Sequence, residues 1–149
     1  MLKAAIDIGT NSTRLYIAEL NGGIKRIEKH TTITRLGKKV DSEKRLGVEG
    51  INRNVEVLLG YKKIAQSYGI NEIRAIATSA VRDAVNRYEF IKAVKERTGI
   101  EIEVISGAKE AELGFLGAYS VLQEGYGVIC DIGGGSTDLI CGMNGKIYF

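Results

Sequence analysis

Three observations predict an α/β protein with a mixed five-stranded sheet, followed by the start of a second, similar domain. The first apolar segments are short and divided by tight turns, as in an antiparallel meander, and the later ones alternate with stretches of helical spacing. A segment near the amino end, Asp7-Ile-Gly-Thr-Asn-Ser-Thr-Arg-Leu, also returns near the carboxyl end as Asp131-Ile-Gly-Gly-Gly-Ser-Thr-Asp-Leu, identical at six of nine positions. After one deletion Asn21, Gly22 and Ile24 match Asn144, Gly145 and Ile147. Each copy therefore has one plan: an apolar strand ending in Asp, a Gly/Ser/Thr turn, a returning strand and an Asn-Gly turn.

Leu2 to Ile8 reads as a strand, Thr13 to Leu20 as its hairpin partner, and Ile24 to about Thr34 as a third strand after the turn at Asn21-Gly22-Gly23. Gly37 to Leu46 is polar and highly charged, which predicts an exposed loop able to close over a site. Val48, Ile51, Val55, Leu58, Leu59, Ala65 and Tyr68 recur at helical spacing, and Gly69 is placed to end that helix. A strand is expected from Glu72 to Thr78, then a helix capped by Asn86, carrying Phe90, Ile91 and Val94 and stopped by Gly99. A strand from Glu101 to Ile105 and a helix from about Ala108 to Leu122 complete the unit. Three antiparallel strands with two more added through crossover helices is the ribonuclease-H-like order.

These elements predict a first domain over residues 1–124, with 125–149 the first strands of a truncated second one. A two-stranded hairpin at Val128 to Ile132 and Asp138 to Cys141 is marginal alone. It must pack back on the first domain, pair with a second copy of the chain as a homodimer, or stay mobile. With one wall of the cleft incomplete, this length of chain is expected to turn over slowly or not at all.

With 149 residues, 44% of them apolar, there is enough chain for a core of ordinary size, and a net charge of +3 gives no reason to expect nucleic acid or an acidic membrane surface as partner. No apolar run approaches the roughly 20 residues needed to span a bilayer. Cys130 and Cys141 lack Cys-x-x-Cys spacing and the amino end has no signal peptide, so two buried, reduced thiols in a cytoplasmic protein are expected.

The repeated turns carry the chemistry. In Gly9, Thr10, Asn11 and Ser12, and again in Gly133, Gly134, Gly135, Ser136 and Thr137, glycine lets backbone N–H groups approach an anion while hydroxyls add donors. Either turn alone can be an ordinary hairpin turn. Three consecutive glycines, however, lose much backbone entropy on folding and bury no side chain, which favours a phosphate-binding pair. Asp7 and Asp131, at the strand ends, are placed to hold a hydrated cation. Glu110 opens a helix with Lys109 and Glu112 beside it: acidic residues suit a helix start, and a carboxylate at a cleft edge can also accept a proton from water. Arg82 follows a strand and is equally readable as a solvated partner of Asp83 or as a phosphate clamp. His30, the only histidine, has no second ligand or nucleophile to serve and reads as an exposed strand residue. The basic pairs Lys25-Arg26 and Lys38-Lys39 read as solvated faces.

Four motifs in order, Asp7 to Leu15, Ala77-Thr-Ser-Ala-Val-Arg-Asp-Ala-Val-Asn86, Ile105-Ser-Gly-Ala-Lys-Glu-Ala-Glu-Leu113 and Asp131 to Asp138, resemble the exopolyphosphatase/guanosine pentaphosphate phosphohydrolase (Ppx/GppA) family. The resemblance implies the actin, Hsp70 and sugar kinase ATPase-type fold and magnesium-dependent release of terminal phosphate from polyphosphate or guanosine pentaphosphate. It gives Glu110 the role of general base, Arg82 that of a phosphate-contacting arginine and Asp131 that of a metal-linked carboxylate. Asp138 stands where the family commonly has Glu, and Lys109 and Glu112 stand where many members have Glu and Arg. The competing class is a nucleotide-binding actin-like or Hsp70-like switch or scaffold without phosphatase turnover.

Overall fold

The computed structural model describes residues 1–38, 40–119, 125–134, 137–143 and 146–148, and of Asp41 and Asp138 the backbone alone. Strands β1 (Leu2–Ile8), β2 (Ser12–Leu20) and β3 (Ile24–Ile33) form the meander. Helices α1 (Val40–Glu43) and α2 (Val48–Ser67) follow, then β4 (Ile73–Ala77), α3 (Ser79–Arg82), α4 (Arg87–Thr98), β5 (Ile102–Val104) and α5 (Gly107–Tyr119). The sheet order is β3-β2-β1-β4-β5, antiparallel among the first three strands and parallel where β4 joins β1 and β5 joins β4. This is the ribonuclease-H-like order expected from the sequence.

Alternation along the strands puts Ala4, Ile6, Ile8, Leu15 and Ile17 on one face of the sheet, where they are buried with Val55, Leu58 and Ala65 of α2 and Phe90 and Val94 of α4. Each of the Ile, Leu, Val and Phe side chains contributes about 1.5–3 kcal/mol through burial. Gly69 and Gly99 follow the two helices at φ +72° and +73°, the left-handed turn that glycine adopts at least cost. Asn86 precedes α4 but does not cap it through its side chain. Its amide instead accepts from Leu46 N at 2.8 Å and donates to Leu46 O at 3.0 Å.

The charged stretch expected as an exposed loop from Gly37 to Leu46 is anchored instead. Leu36, Val40 and Leu46 are buried, and α1 forms between them. Three apolar residues spaced among charges were enough to pin it, although the charges dominate the local composition. Gly37 packs so closely on the β1–β2 turn that a Cβ there would lie 2.3 Å from Thr10 Cγ2.

Residues β6 (Tyr126–Ile132), β7 (Thr137–Met143) and β8 (Lys146–Ile147) form a separate antiparallel sheet. This sheet packs against α5. Phe115, fully buried and stacked on Tyr119 with centroids 5.3 Å apart, presses on Gly142, where a Cβ would sit 2.2 Å from its Cζ. Ile140 is buried in the same seam, whereas Cys130, expected to be buried, is exposed on β6 and Cys141 is only partly covered. The Asn144-Gly145 turn and the segment 120–124 lie outside the described residues.

Candidate active site

The parallel strands β1 and β4 end side by side, and ligands of open α/β sheets bind beyond such carboxyl ends. Gly9 N donates to Ser12 O at 3.0 Å, closing the β1–β2 turn. Thr10 Oγ1 shares a 2.9 Å hydrogen bond with Ser79 Oγ at the start of α3. On its other side the turn is tied to the segment before α1: Thr34 N and Arg35 N donate to Asn11 O at 3.0 and 2.9 Å, and Gly37 N to Thr10 O at 2.9 Å.

The second glycine turn lies against the first. A Cβ on Gly134 would be 3.2 Å from Asn11 Cβ and 3.4 Å from Asn11 N, closer than most side chains tolerate. Between them is a cleft of about 590 Å³ whose lining includes Gly9 to Ser12, Gly133 and Gly134. The N–H groups of Thr10, Asn11, Gly133 and Gly134 donate to no other described group. Gly135 and Ser136 lie outside the described residues, and Thr137 begins β7.

Asp7, Asp131 and Glu110 bring three carboxylates to the same lining. Asp131 lies beside α5, its Oδ2 3.8 Å from where a Cβ on Gly114 would be, one helical turn from Glu110. Asp7 Oδ2 accepts from Arg14 Nη1 at 3.0 Å, a cross-strand pair set by the β1–β2 register. Burial raises the Asp7 carboxyl above its ordinary 3.8, Arg14 opposes the rise, and the charge of Asp131 adds to it. No group of three metal-liganding side chains gathers among the described residues, and the Asp138 side chain is not one of them.

Glu110 sits in the first turn of α5, four-fifths covered. Its Oε2 accepts from Arg82 Nη1 at 2.9 Å, and that same nitrogen donates to Ile105 O at 3.2 Å. Arg82 Nε lies 3.5 Å from Asp83 Oδ1. The structure thus brings Arg82 to Glu110 and not onto the cleft lining. Sequence reasoning did not find Arg14, Arg35, Lys38, Thr78 or Ser79, all of which line the cleft. For Arg14 a signal existed, since the expected hairpin sets it opposite Asp7. His30 is partly covered and held by Glu28 on β3, which also accepts from Tyr68, away from the cleft. Lys109 pairs with Glu112 at 2.9 Å on the exposed side of α5.

The raised Asp7 carboxyl gives a stability prediction. The fold favours the protonated acid, so the stability contributed by Asp7 is complete below about pH 3.8 and is lost as pH rises through the folded-state value. Asp7→Asn should therefore melt a few degrees above the parent at neutral pH, and the difference should shrink towards zero in acid. Melting curves across that range check it; a variant less stable than the parent at neutral pH would mean that the Arg14 pair outweighs burial.

The chain is similar to known proteins. A bifunctional 3-dehydroquinate synthase/phosphatase from Fusobacterium nucleatum is 44% identical over 152 residues, covering 95% of this chain and 23% of that protein. Exopolyphosphatase 2 from Mycobacterium tuberculosis is 41% identical over 151 residues, covering 93% of this chain and 47% of that one. The crystal structure of an exopolyphosphatase from Cytophaga hutchinsonii superposes with a TM-score of 0.94 at 30% identity, over 100% of this chain and 49% of its own. The chain therefore spans half or less of the length of these relatives. The profile of the Ppx/GppA phosphatase family matches residues 5–149, and the chain belongs to that family.

Proposed function

We propose that the chain carries the phosphate cleft and the water-activating carboxylate of a metal-dependent phosphoanhydride hydrolase, releasing terminal phosphate from polyphosphate or guanosine pentaphosphate. One observation carries the reading: two glycine turns, whose N–H groups at Thr10, Asn11, Gly133 and Gly134 donate to no described group, meet at a cleft that Glu110 also lines. The terminal phosphoryl group fits between the turns, whose dipoles are fixed before it arrives and so stabilise charge without reorganising. Arg82 holds one oxygen of Glu110, and the other, Oε1, accepts from no described residue and can take a proton from the attacking water. The names of the relatives support this substrate class.

The chemistry of the carboxylates fits a magnesium ion. Two of them share the cleft closely enough that the charge of one raises the other, a repulsion that a hard, partly hydrated cation relieves. Asp7 and Asp131 would hold it, with Asp138 a third candidate. Such an ion supplies neutralisation of phosphate oxygens and of the leaving group.

The test is phosphate release from polyphosphate, guanosine pentaphosphate and ATP, side by side, with magnesium and with chelator, in a version of the chain extended to the length of its relatives. Release from either of the first two that stops on chelation is expected. Tight binding of ATP with no release from any of the three would support the nucleotide-dependent switch instead. A second measurement isolates the ion. Magnesium should raise the melting temperature of the parent but not of Asp7→Asn, because a cation that binds only the folded site stabilises it by mass action.

A further inference from the structure

We propose that Arg35 and Lys38 form a subsite for the phosphoryl group next to the one released, so that they select a condensed phosphate over orthophosphate; this rests on the phosphohydrolase reading above. The assignment begins with where the cations in and beside the cleft are spent. Arg14 is bound to Asp7, and Arg82 to Glu110 and the Ile105 carbonyl. Arg35 and Lys38 line the same cleft, are exposed, and form no ion pair or side-chain hydrogen bond with any described residue.

Their backbone is fixed more firmly than that exposure suggests. Arg35 N and Gly37 N are bonded to the first phosphate turn, Leu36 between them is buried, and Gly37 is wedged on Thr10. Arg35 itself has φ +48°, a left-handed conformation that costs a non-glycine residue about 1–2 kcal/mol. A conformation suited to glycine is thus held by arginine, and the guanidinium stands beside the phosphate turn on a backbone that need not reorder on binding.

The reaction needs positive charge there. Water oxygen bonds to the terminal phosphorus, its proton passes to Glu110, and the bond to the bridging oxygen breaks with its electron pair left on the neighbouring phosphate. Negative charge therefore grows on the leaving group, while the cleft lining already holds Asp7, Asp131 and Glu110. The turns offer only neutral donors. The planar guanidinium of Arg35 can take two oxygens of the neighbouring group and Lys38 supplies a point charge.

The experiment compares the parent with Arg35→Gly/Lys38→Ala, since glycine adopts the backbone of residue 35 without strain and melting curves report folding separately. Titration calorimetry with orthophosphate, tripolyphosphate and guanosine pentaphosphate is the readout. The variant is expected to bind tripolyphosphate roughly tenfold more weakly, with orthophosphate affinity within about twofold of the parent and a weaker dependence on salt. A loss confined to tripolyphosphate or to guanosine pentaphosphate would assign the subsite to that source of condensed phosphate. Unchanged affinity for both, or an equal loss for orthophosphate, overturns the subsite and leaves the phosphohydrolase reading standing. A parent chain that binds none of the three overturns both.

Discussion

In a version extended to the length of its relatives, replacing Glu110 with Gln should slow phosphate release from polyphosphate by roughly a hundred- to ten-thousand-fold while substrate affinity stays within a few-fold, the usual cost of losing a positioned base. Gln keeps the shape and an acceptor for Arg82 Nη1, so the ion pair becomes a weaker neutral-acceptor hydrogen bond. Turnover and binding must therefore be read together. Loss of rate with intact binding is the signature of a base, whereas parallel loss of both would mean that Glu110 serves chiefly to hold Arg82 and the start of α5. A rate near that of the parent would place water activation on another residue.

Phe115→Ala should cost about 3–5 kcal/mol, the range for truncating a buried aromatic side chain. Phe115 is fully buried, stacks on Tyr119 and fills the space left by the missing side chain of Gly142. The loss should be local in its first effect: cleavage by a protease within residues 125–149 should accelerate, while the five-stranded sheet, with its own core under α2 and α4, should keep its melting transition. Equal sensitivity of both parts would show that they unfold as one unit.

Much of this architecture was legible in the sequence because its signals are local. Leu2–Ile8 and Ser12–Leu20 alternate, and Gly69 and Gly99 mark helix ends by a conformation that other residues resist. The Asp-Ile-Gly repeat announced both turns and, with them, the cleft. The residues that escaped are placed by long-range packing. Helix α3 is only Ser79–Arg82, too short to show a period, and the buried Leu36, Val40 and Leu46 are scattered among charges. Asn86 has the chemistry of a cap but finds a better pair of partners in the Leu46 backbone, forty residues away. Arg82 illustrates the same limit at the site. Its type suits a phosphate, yet only the fold shows that Glu110 reaches it first.

Helix α5 has Glu110 in its first turn and Phe115 five residues later, about 7.5 Å along the axis at 1.5 Å per residue. One end of a rigid rod thus carries Glu110 and its middle carries the peg on which β7 is seated. The distance from Glu110 to the second glycine turn is consequently a dimension of the helix, not of a loop. Any tilt of the smaller sheet about that peg turns the rod as well, and the carboxylate travels with the wall that it faces.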